Sequence, residues 1–287
     1  MNILLVHGRN PTGKEPKELL EHWLAAIEQG CSAAGLTAPP GETFTMPLYG
    51  DRFDALLEGV DAPLAEQIGQ RDLDSLDPQY LEFRQAFFEE VRTGAGITDS
   101  QVSDELELLG AERNPSRVQR AQAALQALDK YMPRLTEGAL DGYARDLWVY
   151  LATPHIRDDI DRFVFASVGS EPTLVLGHSL GSLIAYSMLR RVHNRPIPRL
   201  ITLGSPLGLG AVKNQFRPLN FPDGIGDWFN GYDERDLIAL RGLGSDAFPV
   251  QPPVRNEKHL VNQTRNCHGA TGYLETALVA SALIEFK

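Results

Sequence analysis

The stretch LVLGHSLGS, residues 174–182, sets three apolar residues ahead of Gly177, His178, Ser179, Leu180, Gly181 and Ser182. An apolar run that meets glycine and resumes as Leu183, Ile184, Tyr186, Ser187 and Met188 predicts a buried strand, a sharp turn and a helix. A serine between two glycines at such a turn has two readings. In the plain one, small residues simply let a β–α turn close. In the other, Gly177-His178-Ser179-Leu180-Gly181 is the G-x-S-x-G pattern in its strand–turn–helix setting, and Ser179 is a nucleophile. The backbone at such a serine is strained, and flanking glycines let neighbouring chain pass without collision. The helix that starts there aims its free N–H groups at the reacting oxygen, so the Leu180 amide becomes a donor to an oxyanion. The strand before and the helix after favour the second reading.

Working outward, NILLV at residues 2–6 reads as a second buried strand that ends at His7-Gly8, and Leu19, Leu20, Trp23, Leu24 and Ile27 recur at helical spacing toward Gly30 and Gly35. TFTMPLYG, residues 43–50, has strand character with a proline suited to an edge or an end. Farther on, Thr153-Pro154 supplies an N-cap and a first-turn proline for a helix carrying Ile156, Ile160, Phe163 and Val164. RLITLGSP at residues 199–206 is another strand, WFNGYDERDLIAL at 228–240 begins as one, and ATGYLETALVASALIEF reads as one last helix. Alternating strands and helices predict an α/β architecture with a mostly parallel sheet covered on both faces. Between about Asp51 and Asp146 the character changes to acidic, glycine-broken, amphipathic stretches. Tyr80, Phe83, Phe87, Phe88 and Val91 mark one helical face, and Val118, Ala121, Leu125, Leu128 and Met132 another. The expected organisation is a core of residues 1–50 and 146–287 with a helical insertion, a cap, over 51–145.

A serine hydroxyl needs a histidine base, and the base needs a carboxylate to orient it. On a sheet of this kind the order along the chain is serine, acid, histidine, which leaves His193, His259 and His268. His193 reads as a helix C-terminal residue, and His259 lies in the charged stretch NEKHLVNQ. His268 stands in NCHGATGYLE just before the last helix and is preferred. Carboxylates at the C-terminal end of a strand point into the crevice of the sheet. Asp236, which precedes Leu237-Ile238, is therefore the first candidate for the acid, and Asp233 the second. The first strand's ending supplies the other oxyanion donor, the backbone amide of Arg9 or that of Asn10.

A formal net charge of −11 and the lack of a Lys/Arg cluster argue against nucleic acid and anionic membrane surfaces as partners. Two cysteines, Cys31 and Cys267, are too few for a disulfide framework. MNILLVHG lacks the features of a signal peptide, and no apolar run has the length of a membrane span. A cytoplasmic protein without an integral membrane segment is expected. There is no H-E-x-x-H and no paired Cys/His site, so neither a metal nor a cofactor is expected.

Taken together, VHGRN, GHSLGS, ITLGSPLG, WFNGYDERDLIA and CHGATGYL resemble the α/β-hydrolase superfamily, most closely its lipase-like and inositol-deacylase-like serine esterases. The resemblance covers about residues 1–50 and 146–287 and implies the α/β-hydrolase fold. It also implies a catalytic triad of Ser179, Asp236 and His268, with Arg9 and Leu180 amides at the oxyanion. The implied activity is cleavage of carboxylic esters, lipid-like or otherwise apolar in the acyl part, through an acyl-enzyme. The same triad serves thioesterases, amidases and acyltransferases, and an idle scaffold acting as a binding module is the reading from a different class. In the insertion, Tyr80, Leu81, Phe87 and Phe88 are candidates for an acyl pocket, against the plainer reading that they pack within their own domain.

Overall fold

The computed structural model describes residues 1–9, 16–58, 77–111, 114–132, 137–191, 196–265 and 267–285. Chain order runs β1 (Asn2–Val6), α1 (Pro16–Ala34), β2 (Phe44–Thr45), a helix α2 over residues 50–58, α3 (Pro78–Gly94), α4 (Asp99–Leu108), α5 (Arg117–Tyr131), α6 (Glu137–Ala152) and α7 (Pro154–Phe165). It continues with β3 (Thr173–His178), α8 (Leu180–Leu189), β4 (Ile197–Leu203), α9 (Gly210–Lys213), β5 (Ile225–Gly231), β6 (Arg255–Glu257), α10 (Ala270–Leu274) and α11 (Ala277–Ile284).

The strands form one sheet of six in the order β2-β1-β3-β4-β5-β6, every pair parallel. All six residues of β3 are buried, as expected of an apolar run covered on both faces. Alternation along the strands divides the core in two. Leu4, Val6, Val175, Leu200 and Trp228 face the side packed by α8 and the helices between β2 and β3. Ile3, Leu5, Leu174, Leu176, Ile201 and Phe229 face α1, α10 and α11. Each such Leu or Ile contributes about 1.5–3 kcal/mol by leaving water.

The helices over 51–145 are held by local chemistry and then by that shared core. Thr98 with Gln101 and Ser116 with Gln119 make reciprocal capping boxes at the starts of α4 and α5. The α3 face expected from spacing, Tyr80, Phe83, Phe87, Phe88 and Val91, is buried throughout and joins Leu4, Val6 and Leu183 in one cluster. Helix α6 runs through residue 145 without a break.

Several local expectations change in detail. Only Phe44 and Thr45 of TFTMPLYG pair as strand; the chain then leaves the sheet so that Tyr49 can bury its ring and donate its hydroxyl to the His7 carbonyl at 2.6 Å. Thr153 is the N-cap residue of α7, but its side chain makes no capping bond, and Phe163 faces outward at 36% exposure. The last apolar stretch is two helices rather than one. Thr276 breaks it by donating its hydroxyl to the Tyr273 carbonyl and accepting from Val279 N–H, which ends α10 and caps α11.

The sheet order reverses between β1 and β3. From β1 the chain steps outward to β2, then crosses back to place β3 on the other flank of β1, with Val6 beside Gly177. In open parallel sheets the crevice at such a switch point, past the carboxyl ends of the strands, is where ligands bind. Here those two ends carry His7-Gly8-Arg9 and Ser179.

Candidate active site

Ser179 sits between the last residue of β3 and the first of α8 with φ 55° and ψ −126°, backbone angles that a side chain adopts only at a cost of about 1–3 kcal/mol. The surroundings fix it there. Its N–H donates to the Leu203 carbonyl at 3.0 Å, and its own carbonyl accepts from Ser182 N–H at 2.9 Å and from Ser182 Oγ at 2.5 Å. The two glycines of the motif are demanded by contact. A Cβ on Gly177 would lie 2.6 Å from the Gly181 carbonyl oxygen, and one on Gly181 only 2.1 Å from the Val6 carbonyl oxygen. The turn thus folds back on itself and rests on the end of β1.

Two loops deliver the partners. Past β5, Asp236 is fixed by its N–H to the Asp233 carbonyl at 2.9 Å and is fully buried. Before α10, Gly269 N–H donates to Thr264 Oγ1 at 2.9 Å, and Cys267 takes a positive φ of 56° with its N–H on the Thr264 carbonyl, which turns His268 inward. His268 Nδ1 is 2.8 Å from Asp236 Oδ2, and Nε2 is 2.9 Å from Ser179 Oγ. Asp236 also accepts from the Tyr273 hydroxyl at 2.6 Å and, on its other oxygen, from Ile238 N–H at 2.9 Å. A carboxylate only accepts, so the imidazole proton lies on Nδ1 and Nε2 presents a lone pair. Ser179 Oγ–H must then be the donor to Nε2, which is the arrangement that lets the imidazole take the proton when Oγ attacks.

The competing candidates lie elsewhere. Asp233 forms an ion pair with Arg235 at 2.6 Å and accepts Asn262 N–H at 2.7 Å; burial works the other way, but these bonds hold its carboxyl below the ordinary range. His259 is exposed and joins Asp233 only through an isolated antiparallel bridge. His193 and Asn10 lie outside the described residues. Leu180 opens α8, so its N–H has no partner within the helix. Gly8 lies so close to the serine that a Cβ on it would be 2.9 Å from Ser179 Cβ, which brings Arg9 to the same spot. The Arg9 side chain turns away to Asp146 at 2.6 Å and to Asp54.

Four contributors, Tyr143, His178, His7 and Tyr273, had no role assigned from the sequence. Tyr143, on α6, places its hydroxyl 3.0 Å from Ser179 Oγ, and burial raises its pKa well above the usual phenol value. His178 Nε2 is 2.7 Å from the His268 carbonyl oxygen; burial first, then the nearby His268, lowers its pKa to about 3. His7 stacks on Tyr49 with ring centroids 4.3 Å apart, and burial lowers its pKa to about 4. His178 and Tyr273 stood inside the quoted motifs, GHS and GATGYL, with nothing to mark their partners. Tyr143 stood in DGYARD, where only its place among polar residues set it apart.

A cleft of about 460 Å³ opens over Ser179, lined by His7, Arg9, His178 and His268 from the sheet side, Leu19, His22 and Trp23 from α1, and Tyr143. Tyr80, Leu81, Phe87 and Phe88 do not line it; the first, third and fourth are no more than 2% exposed in the core, and Leu81 packs against them. The plainer reading of that aromatic stripe therefore holds. Among the described residues no group of three His, Cys, Asp or Glu is placed to hold a metal ion, and no helix is long and apolar enough to cross a membrane.

Comparison with protein-family models and with curated proteins finds no match to this chain.

Proposed function

We propose that the chain is a serine hydrolase of the α/β-hydrolase fold that cleaves carboxylic esters through an acyl-enzyme. The observation that carries this reading is the run of hydrogen bonds from Asp236 through His268 to Ser179, 2.8 and 2.9 Å long, which ends on a serine held at positive φ. In the first half-reaction Ser179 Oγ attacks the ester carbonyl while His268 Nε2 takes its proton. The electron pair driven onto the carbonyl oxygen faces the Leu180 and Arg9 amides, and the alcohol leaves with the proton from His268. Water then repeats the sequence on the acyl-enzyme and regenerates Ser179. Asp236 keeps the imidazole in the tautomer that this requires and stabilises its charged form.

The cleft favours a short acyl group over a long lipid chain. Imidazoles share its wall with Leu19 and Trp23, and the aromatic residues expected to form an acyl channel are committed to the core. A cytoplasmic location belongs to the same proposal; both cysteines are unpaired and buried, which suits a reducing compartment. Turnover of p-nitrophenyl esters from acetate to laurate tests the reading. Hydrolysis that is greatest for the shorter chains and abolished in Ser179→Ala supports it, and no turnover of any ester by the folded protein contradicts it.

A further inference from the structure

We infer that the Tyr143 hydroxyl is a third donor to the oxyanion, supplied to the site from helix α6 rather than from the sheet. The inference rests on the serine-hydrolase reading above and follows from counting protons around one atom. Among the described residues Ser179 Oγ has two side-chain neighbours within hydrogen-bond distance, His268 Nε2 at 2.9 Å and Tyr143 Oη at 3.0 Å. Because Asp236 holds the imidazole proton on Nδ1, the serine's single proton is committed to Nε2. The bond between Tyr143 and Ser179 must then run from the phenol, with the serine oxygen accepting.

That direction decides what Tyr143 does during reaction. When Oγ bonds to the carbonyl carbon and its proton moves to His268, Oγ becomes an ester-like oxygen and a poor acceptor. The carbonyl oxygen, attached to the same carbon and carrying the displaced electron pair, becomes the strongest acceptor nearby. The phenol O–H redirects its hydrogen bond to it without giving up its proton. Partial burial raises the pKa of the phenol and keeps it protonated throughout the working range, so it is a donor and not a base. Tyr143 is also held from behind, with its ring in tilted contact with Phe87 at 6.3 Å in the core shared by α3 and the sheet. A donor fixed in advance stabilises charge that develops only in the transition state.

The test is Tyr143→Phe, which keeps the ring and its packing. Single-turnover hydrolysis of p-nitrophenyl acetate separates acylation from deacylation, and affinity for phenylboronic acid reads the tetrahedral adduct directly. Both rate constants fall by about a hundredfold with KM nearly unchanged, boronate affinity falls in parallel, and the thermal midpoint stays within a few degrees. A fall of less than about tenfold, or one confined to acylation, overturns the inference and leaves Tyr143 as an orienting partner of the serine. Wild-type protein that neither turns over the ester nor reacts with a fluorophosphonate overturns the hydrolase reading itself, and the inference with it.

Discussion

The imidazole of His178 donates Nε2–H to the backbone carbonyl of His268 across 2.7 Å, so the residue before the proposed nucleophile anchors the backbone of the proposed base. Burial keeps this ring neutral far below neutral pH, which fixes Nε2 as donor to a carbonyl that can only accept. His178→Ala removes the anchor while the loop keeps its bonds to Thr264. A neutral hydrogen bond of this kind is worth about 1 kcal/mol, so kcat for a p-nitrophenyl ester falls by roughly fivefold to tenfold with little change in KM. The pH dependence of kcat keeps its wild-type inflection, because His178 does not titrate in the assay range.

The two candidate acids separate cleanly. Asp236 touches His268 and is fully buried, whereas Asp233 is spent on Arg235 and Asn262. Asp236→Asn presents an amide that favours the wrong imidazole tautomer, and kcat falls by roughly two to four orders of magnitude. Asp233→Asn loosens the turn and lowers the thermal midpoint by a few degrees, while kcat stays within about threefold of wild type. Steady-state kinetics and thermal melts of both variants check this, and equal loss of kcat in the two would remove the distinction.

Glycine positions give a stability test independent of chemistry. A Cβ at Gly181 would collide with the Val6 and His7 carbonyl oxygens at 2.1 and 2.3 Å, both backbone atoms of β1 that cannot swing aside. Gly181→Ala therefore destabilises by at least about 3 kcal/mol or yields no soluble fold. Gly142, inside α6, has nothing within 4 Å of the same point, so Gly142→Ala stabilises by about 0.5–1 kcal/mol through helix propensity. Urea midpoints of the two variants carry the comparison.

Three buried groups with large shifts contribute to the pH dependence of stability. His7 and His178 have folded pKa values lowered to about 4 and about 3 from 6.5, so below pH 6.5 the unfolded chain binds two protons that the folded chain does not. Asp161, buried and hydrogen-bonded to Tyr150 and Ser187, is raised from 3.8 to about 6 by burial, so between those values the folded chain binds one proton more. The histidines make stability rise with pH over this window and Asp161 makes it fall. From these groups the net is one proton, a rise of about 1.4 kcal/mol per pH unit between roughly pH 4 and 6. Asp161→Asn removes the opposing term. Its urea-derived stability then climbs more steeply than wild type by a similar amount per unit, and parallel curves would contradict the assignment.

Much of this site was legible because the chemistry needs particular residues at particular turns. Ser179 announced itself through glycines that the close approach of β1 demands, and Asp236 and His268 through their places after a strand and before a helix. The inner strands β1, β3 and β4 follow from apolar runs buried on both faces, whereas β6, the short polar edge strand Arg255–Glu257, has no such run to mark it. Tyr143 escaped because an aromatic residue in a helix reads as core, and only the crossing of α6 over the switch point turns its hydroxyl to the serine. The aromatic stripe of α3 suits a core more readily than a pocket, but spacing alone does not say which core. Periodicity says which face is buried, not what it is buried against. The break at Thr276 was invisible for a related reason, since a threonine inside an apolar run caps a helix only once its own hydroxyl finds the Tyr273 carbonyl.

The central claim is that Ser179 is an activated nucleophile, and covalent labelling with a fluorophosphonate probe measures that most directly. Wild-type protein takes up one probe per chain, peptide mapping by mass spectrometry places it on Ser179, and the label is lost in Ser179→Ala and slowed by orders of magnitude in His268→Ala. Folded wild-type protein that stays unlabelled, or that carries the probe on another residue with Ser179 free, would contradict the account.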